Sequence, residues 1–254
     1  MPRLDQLLVT QGLARSRTRA QRLIRHGRVR LAAGGAPLVK PGEKLPATAE
    51  LVVEEDPEER YASRAGLKLE ALIEALGLTL NGRLVLDVGQ STGGFTDCAL
   101  RFGARHVIGV EVGHDQLDAA LRDDPRVTCL EGLNARAMTG DPRLSAAFVA
   151  QGASGPELAV MDVSFISQTL ILPELAALLP AGGELASLVK PQFEVGPGGV
   201  NARGLVVDER RFAEVEARIR KTCAELGVEI LHWQPSPLLG GDGNREFLLH
   251  AVRR

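Results

Sequence analysis

Aromatic residues are scarce. The 254 residues include one tryptophan, one tyrosine and seven phenylalanines, and none of them precedes Tyr61. Readers of single-stranded nucleic acid stack bases on aromatic rings, so the first sixty residues cannot work in that way. No apolar run reaches the roughly 18–20 residues that span a bilayer. The opening MPRLDQLLVTQG lacks the apolar stretch and small-residue cleavage site of a signal peptide. No membrane span and no secretion are expected, and the expected compartment is the cytoplasm. Cys98, Cys129 and Cys223 are odd in number, far apart and without a CxxC pair, which fits reduced thiols and no metal site. With 44% hydrophobic and 24% charged residues the chain is not disordered. Its length suits one large domain or two smaller ones.

What is present is a charge division that the formal net charge of −2 conceals. Residues 1–48 hold ten bases against Asp5 and Glu43, whereas residues 49–254 hold thirty acids and twenty bases. A basic head on an acidic body points to an anionic partner, most often nucleic acid. The acidic, proline-containing EEDPEER at 54–60 reads as a linker. The expected division is 1–55, a small α+β RNA-binding domain; 56–62, the linker; and 63–254, the second domain.

The head has the pattern of a folded module. Leu4, Leu7 and Leu8 recur at helical spacing; Ser16 can cap a second helix whose Ala20, Leu23 and Ile24 form one apolar stripe. Arg22, Arg25 and His26 fall on the opposite side, and Gly27 is placed to end the helix. Extended pieces are expected at 29–32, 37–40 and 50–53, with turns at Gly34-Gly35 and Pro41-Gly42. Arg3, Arg15, Arg17, Arg19, Arg22, Arg25, Arg28 and Lys40 are the expected phosphate contacts. A solvated arginine face is the plainer alternative. Without rings to stack on, the head should track the phosphates and shape of a folded RNA, with affinity falling steeply with salt.

R-L-D-x-x-L at 3–8, S-R-x-x-A-x-x-L-I at 16–24 and G-x-V at 27–29 resemble the S-four type RNA-binding module over about the first 50 residues. Where that module shows a valine-rich strand and an Asn-Gly turn, this chain has Leu31-Ala32-Ala33-Gly34-Gly35.

Beyond a helix at 67–76, the body alternates apolar runs with helical patterns. The runs are 84–88, 107–112, 127–130, 158–163, 184–189, 228–233 and 246–252; the clearest helix is 209–226. Seven strands alternating with helices predict an α/β, mostly parallel sheet covered on both faces. The loop QPSPLLGGDGNR leaves no room for a helix, so the last strand is expected to run antiparallel. Ligands of such sheets sit beyond the carboxyl ends of the strands, at the switch point.

The first strand of the body runs into Asp87-Val88-Gly89-Gln90-Ser91-Thr92-Gly93-Gly94-Phe95. No GK[ST] follows, which excludes a P-loop, and GxGxxG is not matched. Gly89 to Gly93 does match the GxSxG of a hydrolase nucleophile elbow, and a purely structural turn is another alternative. The reading that also uses Glu111 is the nucleoside-binding turn of an S-adenosylmethionine-dependent methyltransferase. Glu111 ends the second strand of the body, where a carboxylate can bond two ribose hydroxyls. It would serve a nicotinamide dinucleotide equally. Asn134 is a candidate for the adenine edge.

Y-x-S-R-x-G-x-K-L at 61–69, D-V-G-x-S-T-G-G-F-T-D at 87–97, G-V-x-V-G-H-x-Q-L at 109–117, D-V-S-F-I-S at 162–167, K-P-Q-F-E at 190–194 and N-x-E-F at 244–247 resemble the TlyA-type family. The resemblance implies an S-four type head fused to a Rossmann-like, class I methyltransferase of the RrmJ/FtsJ kind. It implies S-adenosylmethionine as cofactor, ribosomal RNA or a ribosomal subunit as partner, methylation of cytidine ribose 2′-hydroxyls, and a haemolysin label for some members. The cofactor residues expected on that basis are Asp87, Gly89, Ser91, Thr92, Gly93, Gly94, Phe95, Glu111, Asn134 and Asp162. Gln90 replaces the small residue usual in the glycine motif, and is expected to narrow the turn.

Topology converges on the same chemistry. Asp162 and Lys190 end two parallel strands, Glu246 begins the antiparallel one, and Lys68 lies near the start of the preceding helix. Lys68, Asp162, Lys190 and Glu246 are thus expected to meet over the switch point as the Lys-Asp-Lys-Glu tetrad of ribose 2′-O-methyltransferases. Each alone has a plainer role as a surface or strand-end charge. Lys190 is the expected centre, as proton acceptor or as stabiliser of the forming alkoxide. The glycine-rich 196–204 is expected to be a lid, with a plain connection as the alternative. The rival functions are an RNA-binding protein with a silent methyltransferase fold, a haemolysin and a nicotinamide dehydrogenase.

Overall fold

Leucines one helical turn apart can bury only against a second apolar stripe, and the head supplies one. In the computed structural model, which describes residues 1–14, 16–54 and 60–254, α1 (Leu4–Thr10) packs on α2 (Arg17–Arg25). Leu4, Leu7 and Leu8 meet Ala20, Leu23 and Ile24 there, with Val29 and Leu51 closing the core. The Ser16 hydroxyl accepts the Arg19 N–H at 3.2 Å and so caps α2. β1 (Val29–Leu31) pairs antiparallel with β2 (Leu51–Val53). The extended piece expected at 37–40 joins no ladder: Leu38 gives one N–H to the Val29 carbonyl at 2.8 Å. Pro37 and Pro41 have no N–H to donate, which fits that interruption.

One of the head's two early acids is wholly buried. Asp5 is 0% exposed. Its carboxylate accepts Arg3 Nε at 3.0 Å, Arg17 Nε at 3.0 Å and Gln21 Nε2 at 2.8 Å. Arg3, then burial against it, then Gln21 and Arg17 set its titration, and the result is a pKa held far below the usual carboxylate range. Of the expected phosphate contacts, Arg17 therefore also holds α2 to α1, and Arg3 pairs with Asp5 at the start of α1. Arg15 lies outside the described residues.

The chain divides into two compact units, Met1–Arg60 and Tyr61–Arg254. Most of the expected linker lies outside the described residues. Its last positions belong to the second unit: Tyr61 is buried against Gly66, and the Ala62 N–H donates to Asp97 at 2.8 Å.

The second unit runs α3 (Ala65–Leu76), β3 (Leu84–Val88), α4 (Gly94–Arg101), β4 (His106–Glu111), α5 (Ala119–Arg122), β5 (Val127–Glu131), α6 (Pro142–Ala150), β6 (Leu158–Met161), α7 (Leu172–Leu178), β7 (Glu184–Val189), α8 (Arg210–Glu225), β8 (Val228–Pro235) and β9 (Phe247–Arg253). The strand order is β5-β4-β3-β6-β7-β9-β8. All neighbours are parallel except β9, which is antiparallel to both β7 and β8. Strand side chains alternate between faces. Leu84, Leu86 and Val88 of β3 join the core under α6, α7 and α8, whereas Val85 joins the core under α3 and α4. With both faces covered, the strands read as continuous apolar runs, which is why their boundaries were legible in the sequence.

Replacing Asp5 with alanine leaves two arginines without their buried partner, at an expected cost of about 3 kcal/mol. Hydrogen exchange on the full chain should show amides of residues 4–31 losing protection while those of β3 and β7 keep theirs. Equal protection in both proteins would show that the pairs do not hold the head together.

Candidate active site

Parallel strands deliver their last residues to one edge. Val88 is in register with Val110 of β4 and with Met161 of β6, so Gly89, Glu111 and Asp162 emerge side by side. Gly89 has φ +84, and a Cβ there would lie 2.6 Å from the Asp162 carbonyl oxygen; only glycine allows the turn to sit on that loop. Ser91 is also left-handed, at φ +47, and its hydroxyl donates to Gln116 Oε1 at 3.1 Å. That partner is an amide and not a histidine, which does not fit a nucleophile elbow.

Gln90 corrects an expectation. Its side chain does not crowd the turn: it is 2% exposed and fills the space that a side chain at Gly109 would take. Gln90 Nε2 donates to Thr96 Oγ1 at 2.9 Å, and Thr96 donates to Asp87 Oδ2 at 2.6 Å. Asp87 is thus a buried support beneath the turn. Burial raises its pKa to about 7, the Thr96 hydroxyl opposes that, and the carboxylates of Asp162 and Glu111 add to it.

A cleft of about 510 Å³ opens beside the turn, lined by Gly89, Ser91, Glu111, Asn134, Asp162 and Phe165 among others. A smaller recess of about 70 Å³ shares Gly89, Ser91 and Asp162 with it and adds Ser63, Thr92, Gly94 and Phe95. Glu111 Oε2 accepts the Ser91 N–H at 2.8 Å, and Oε1 accepts the Gly113 N–H at 2.7 Å. A carboxylate has about four acceptor positions, so both oxygens can still receive hydroxyl donors. Asn134 stands on the cleft wall, but its Oδ1 accepts the Arg136 N–H at 3.0 Å and caps a short 3₁₀ turn. Gly93 serves the turn itself, as the left-handed residue before α4.

The four charges meet as two ion pairs. β9 enters beside the end of β7, with Phe247 opposite Val189, which places Glu246 next to Lys190 at one edge. Lys68, in the first turns of α3, pairs with Glu246, and the pair is almost wholly buried. Lys190 Nζ lies 2.6 Å from Asp162 Oδ1 and donates to Ser164 Oγ at 2.9 Å. Burial raises the pKa of Glu246, while Lys68 and then Lys190 work against the rise.

The FtsJ-like methyltransferase family matches residues 61–253, and the S4 domain matches residues 2–32. The chain belongs to the FtsJ-like methyltransferase family. Among relatives, it is 41% identical to the 16S/23S rRNA (cytidine-2′-O)-methyltransferase TlyA of Mycobacterium tuberculosis over 97% of this chain and 88% of that one. It is 33% identical to Hemolysin A of Brachyspira hyodysenteriae over 98% and 99% of the two chains. A solved structure from Streptococcus thermophilus matches with a TM-score of 0.72 and 38% identity over 99% of this chain and 88% of that one. Aeropyrum pernix fibrillarin, solved with S-adenosyl-L-methionine bound, shares the fold at TM-score 0.51 and 22% identity over 73% and 74% of the chains.

Within this family site, sequence reasoning passed over Ser164 and Phe165, although their motif was in view. Phe165 is 90% exposed, has φ +63 and packs its ring 5.0 Å from that of Phe193. It also missed Asn244, which is buried and holds the glycine-rich loop by giving Nδ2 to the Gly204 carbonyl and accepting the Val206 N–H. That loop, expected as a lid, is therefore tied at its far end.

The Asp87 proton has a measurable consequence. Its folded pKa stands above the unfolded value of about 3.9, so its contribution is full below that value and is lost as pH rises through about 7. Asp87→Asn removes the dependence. Relative to that variant, the wild type should lose stability between pH 4 and 7 by on the order of 1 kcal/mol per pH unit. Denaturant midpoints at several pH values check this; a constant difference would contradict it.

Proposed function

We propose that this chain is a ribosomal RNA 2′-O-methyltransferase, using S-adenosylmethionine to methylate a ribose 2′-hydroxyl of a cytidine. The observation that carries the reading is the meeting of Lys68, Asp162, Lys190 and Glu246 at the strand edge that also holds the glycine turn and Glu111. The TlyA relative, named for that reaction, supplies the substrate class. The reaction belongs in the cytoplasm, with ribosomal RNA or a ribosomal subunit as partner.

The large cleft suits an adenosine, with Glu111 receiving the ribose hydroxyls and Asn134 beside the base. The small recess suits the amino-acid tail, against Thr92, Gly94 and Phe95. Bound there, S-adenosylmethionine would supply a methyl carbon already activated by its sulfonium, the C–S bond giving its electron pair to sulfur as the new O–C bond forms. The remaining work is to place the oxygen in line and take its proton. Lys190 receives that proton at Nζ. Asp162 holds Lys190, and the Lys68–Glu246 pair keeps the cluster neutral, so that it tolerates burial. The exposed Phe165 ring on the rim is a stacking surface for the target base. The head supplies phosphate contacts through Arg19, Arg22, Arg25, Arg28 and Lys40, together with Arg3 and Arg17 where Asp5 leaves their donors over.

Brachyspira Hemolysin A shares this ancestry, but no helix among the described residues is long and apolar enough to cross a membrane. Vesicle leakage by the pure chain would be the result that favours a haemolysin.

Mapping 2′-O-methyl groups in ribosomal RNA with and without the protein should reveal a cytidine whose methylation depends on it. Lys190→Ala should lower transfer at least about 100-fold while S-adenosylhomocysteine still raises its melting temperature. Lys190→Arg should fail equally, because arginine cannot act as a base. Near-normal turnover in either variant would remove the assignment. Binding of the folded RNA should weaken with salt, with a log–log slope of about 0.7–0.9 per phosphate neutralised.

A further inference from the structure

We infer that Ser164 is a positioning residue for Lys190: its hydroxyl sets the rotation of the Lys190 amine so that one corner of Nζ faces the reacting oxygen. The inference rests on the assignment of Lys190 to the proton of the ribose hydroxyl.

The Lys190 ammonium has two contacts of different kinds. Asp162 Oδ1 lies 2.6 Å away, but that oxygen takes no aligned hydrogen bond. An ion pair of this sort fixes distance, and the attraction barely depends on how the ammonium is turned. A hydrogen bond is directional, and among the described residues Nζ makes its aligned one to Ser164 Oγ, at 2.9 Å. Lys68 is committed to Glu246 and leaves this hydroxyl to Lys190.

The geometry matters most once Nζ is neutral. The amine then has two N–H bonds and one lone pair at tetrahedral corners. With one N–H on Ser164 and the other on the Asp162 side, the lone pair takes the third corner. Without Ser164 the amine turns about the Cε–Nζ bond, and the lone pair is aligned for only part of the time.

Ser164 has no competing duty. Lys190 is the partner of its hydroxyl among the described residues, whereas nearby Ser167 uses its own hydroxyl within the fold. The loop that presents Ser164 is anchored just beyond it. Phe165 follows in the left-handed region. Beyond it the buried Glu194 accepts the Ser167 hydroxyl at 2.6 Å and the Gln168 N–H at 2.8 Å. An exposed serine on an anchored loop, bonded among the described residues to the central lysine, fits a role in the reaction better than one in folding.

The test is single-turnover methyl transfer by the full chain, with labelled S-adenosylmethionine and ribosomal subunits lacking the modification. Ser164→Ala and Ser164→Val should slow transfer about 3–10-fold, the usual weight of one hydrogen bond between neutral groups. Ser164→Thr has the shape of valine and keeps the hydroxyl; it should recover most of the lost rate. S-adenosylhomocysteine affinity should fall far less than the rate in all three: Ser164 stands on the cleft wall, but Gly89, Glu111 and Asn134, which receive the nucleoside, are untouched. Unchanged rates in S164A and S164V, a threonine variant as slow as the valine one, or a matching loss of S-adenosylhomocysteine affinity would each overturn the inference. Lys190→Ala run alongside separates the two levels. If it transfers at near wild-type rates, or if the wild type itself does not transfer, the underlying assignment falls. If it is inactive and S164A is not, the Ser164 inference alone falls.

Discussion

The site depends on the register of one strand. β9 runs against β7 with Phe247 opposite Val189, and this pairing sets Glu246 beside Lys190. A slip of one residue would exchange the faces of Leu248 and Leu249, which are packed into two different cores, and would part His250 from Glu184. Burial of those leucines therefore also fixes the charge cluster. The cluster tolerates its partial burial because it is balanced: Lys68 with Glu246 and Lys190 with Asp162. Buried charges are costly unless paired, and a neutral set of four avoids the penalty that any one alone would incur.

The glycine turn and the loop after β6 are parts of one surface. Gly89 rests on the Asp162 carbonyl, and Asp162 both lines the cleft and holds Lys190. A group bound in the cleft and a group approaching Lys190 therefore meet at the same residue. Beneath the turn the Asp87–Thr96–Gln90 chain uses the interior for support. In the head the same economy of charge holds. Asp5 takes Arg3 and Arg17 as structural partners.

Much of this was legible in the residues. Strand runs and the helices of the body followed from apolar periodicity, because a parallel sheet covered on both faces makes its strands continuous apolar segments. The glycine turn, Glu111 and the four charges stood at the ends of those runs, so topology alone could bring them to one edge. Other features were not legible. The segment at 37–40 alternates like a strand, but it opens on Pro37, which has no N–H, and makes one bond to Val29 without a ladder. Gln90 sits in a cofactor motif, yet its side chain turns inward because Gly109, on a neighbouring strand, leaves the space. Phe165 carried no role of its own within its motif, yet the structure sets it on the surface with a left-handed backbone.

By itself the sequence determined where strands and helices lie, which residues end them and how charge is divided between head and body. These are local or additive properties of the chain. Tertiary structure decided which charges pair, which polar side chains are buried and which hydroxyl reaches Lys190. Each of those depends on contacts between segments far apart in the chain, such as Lys68 with Glu246, and no local pattern encodes the distance that folding leaves between them.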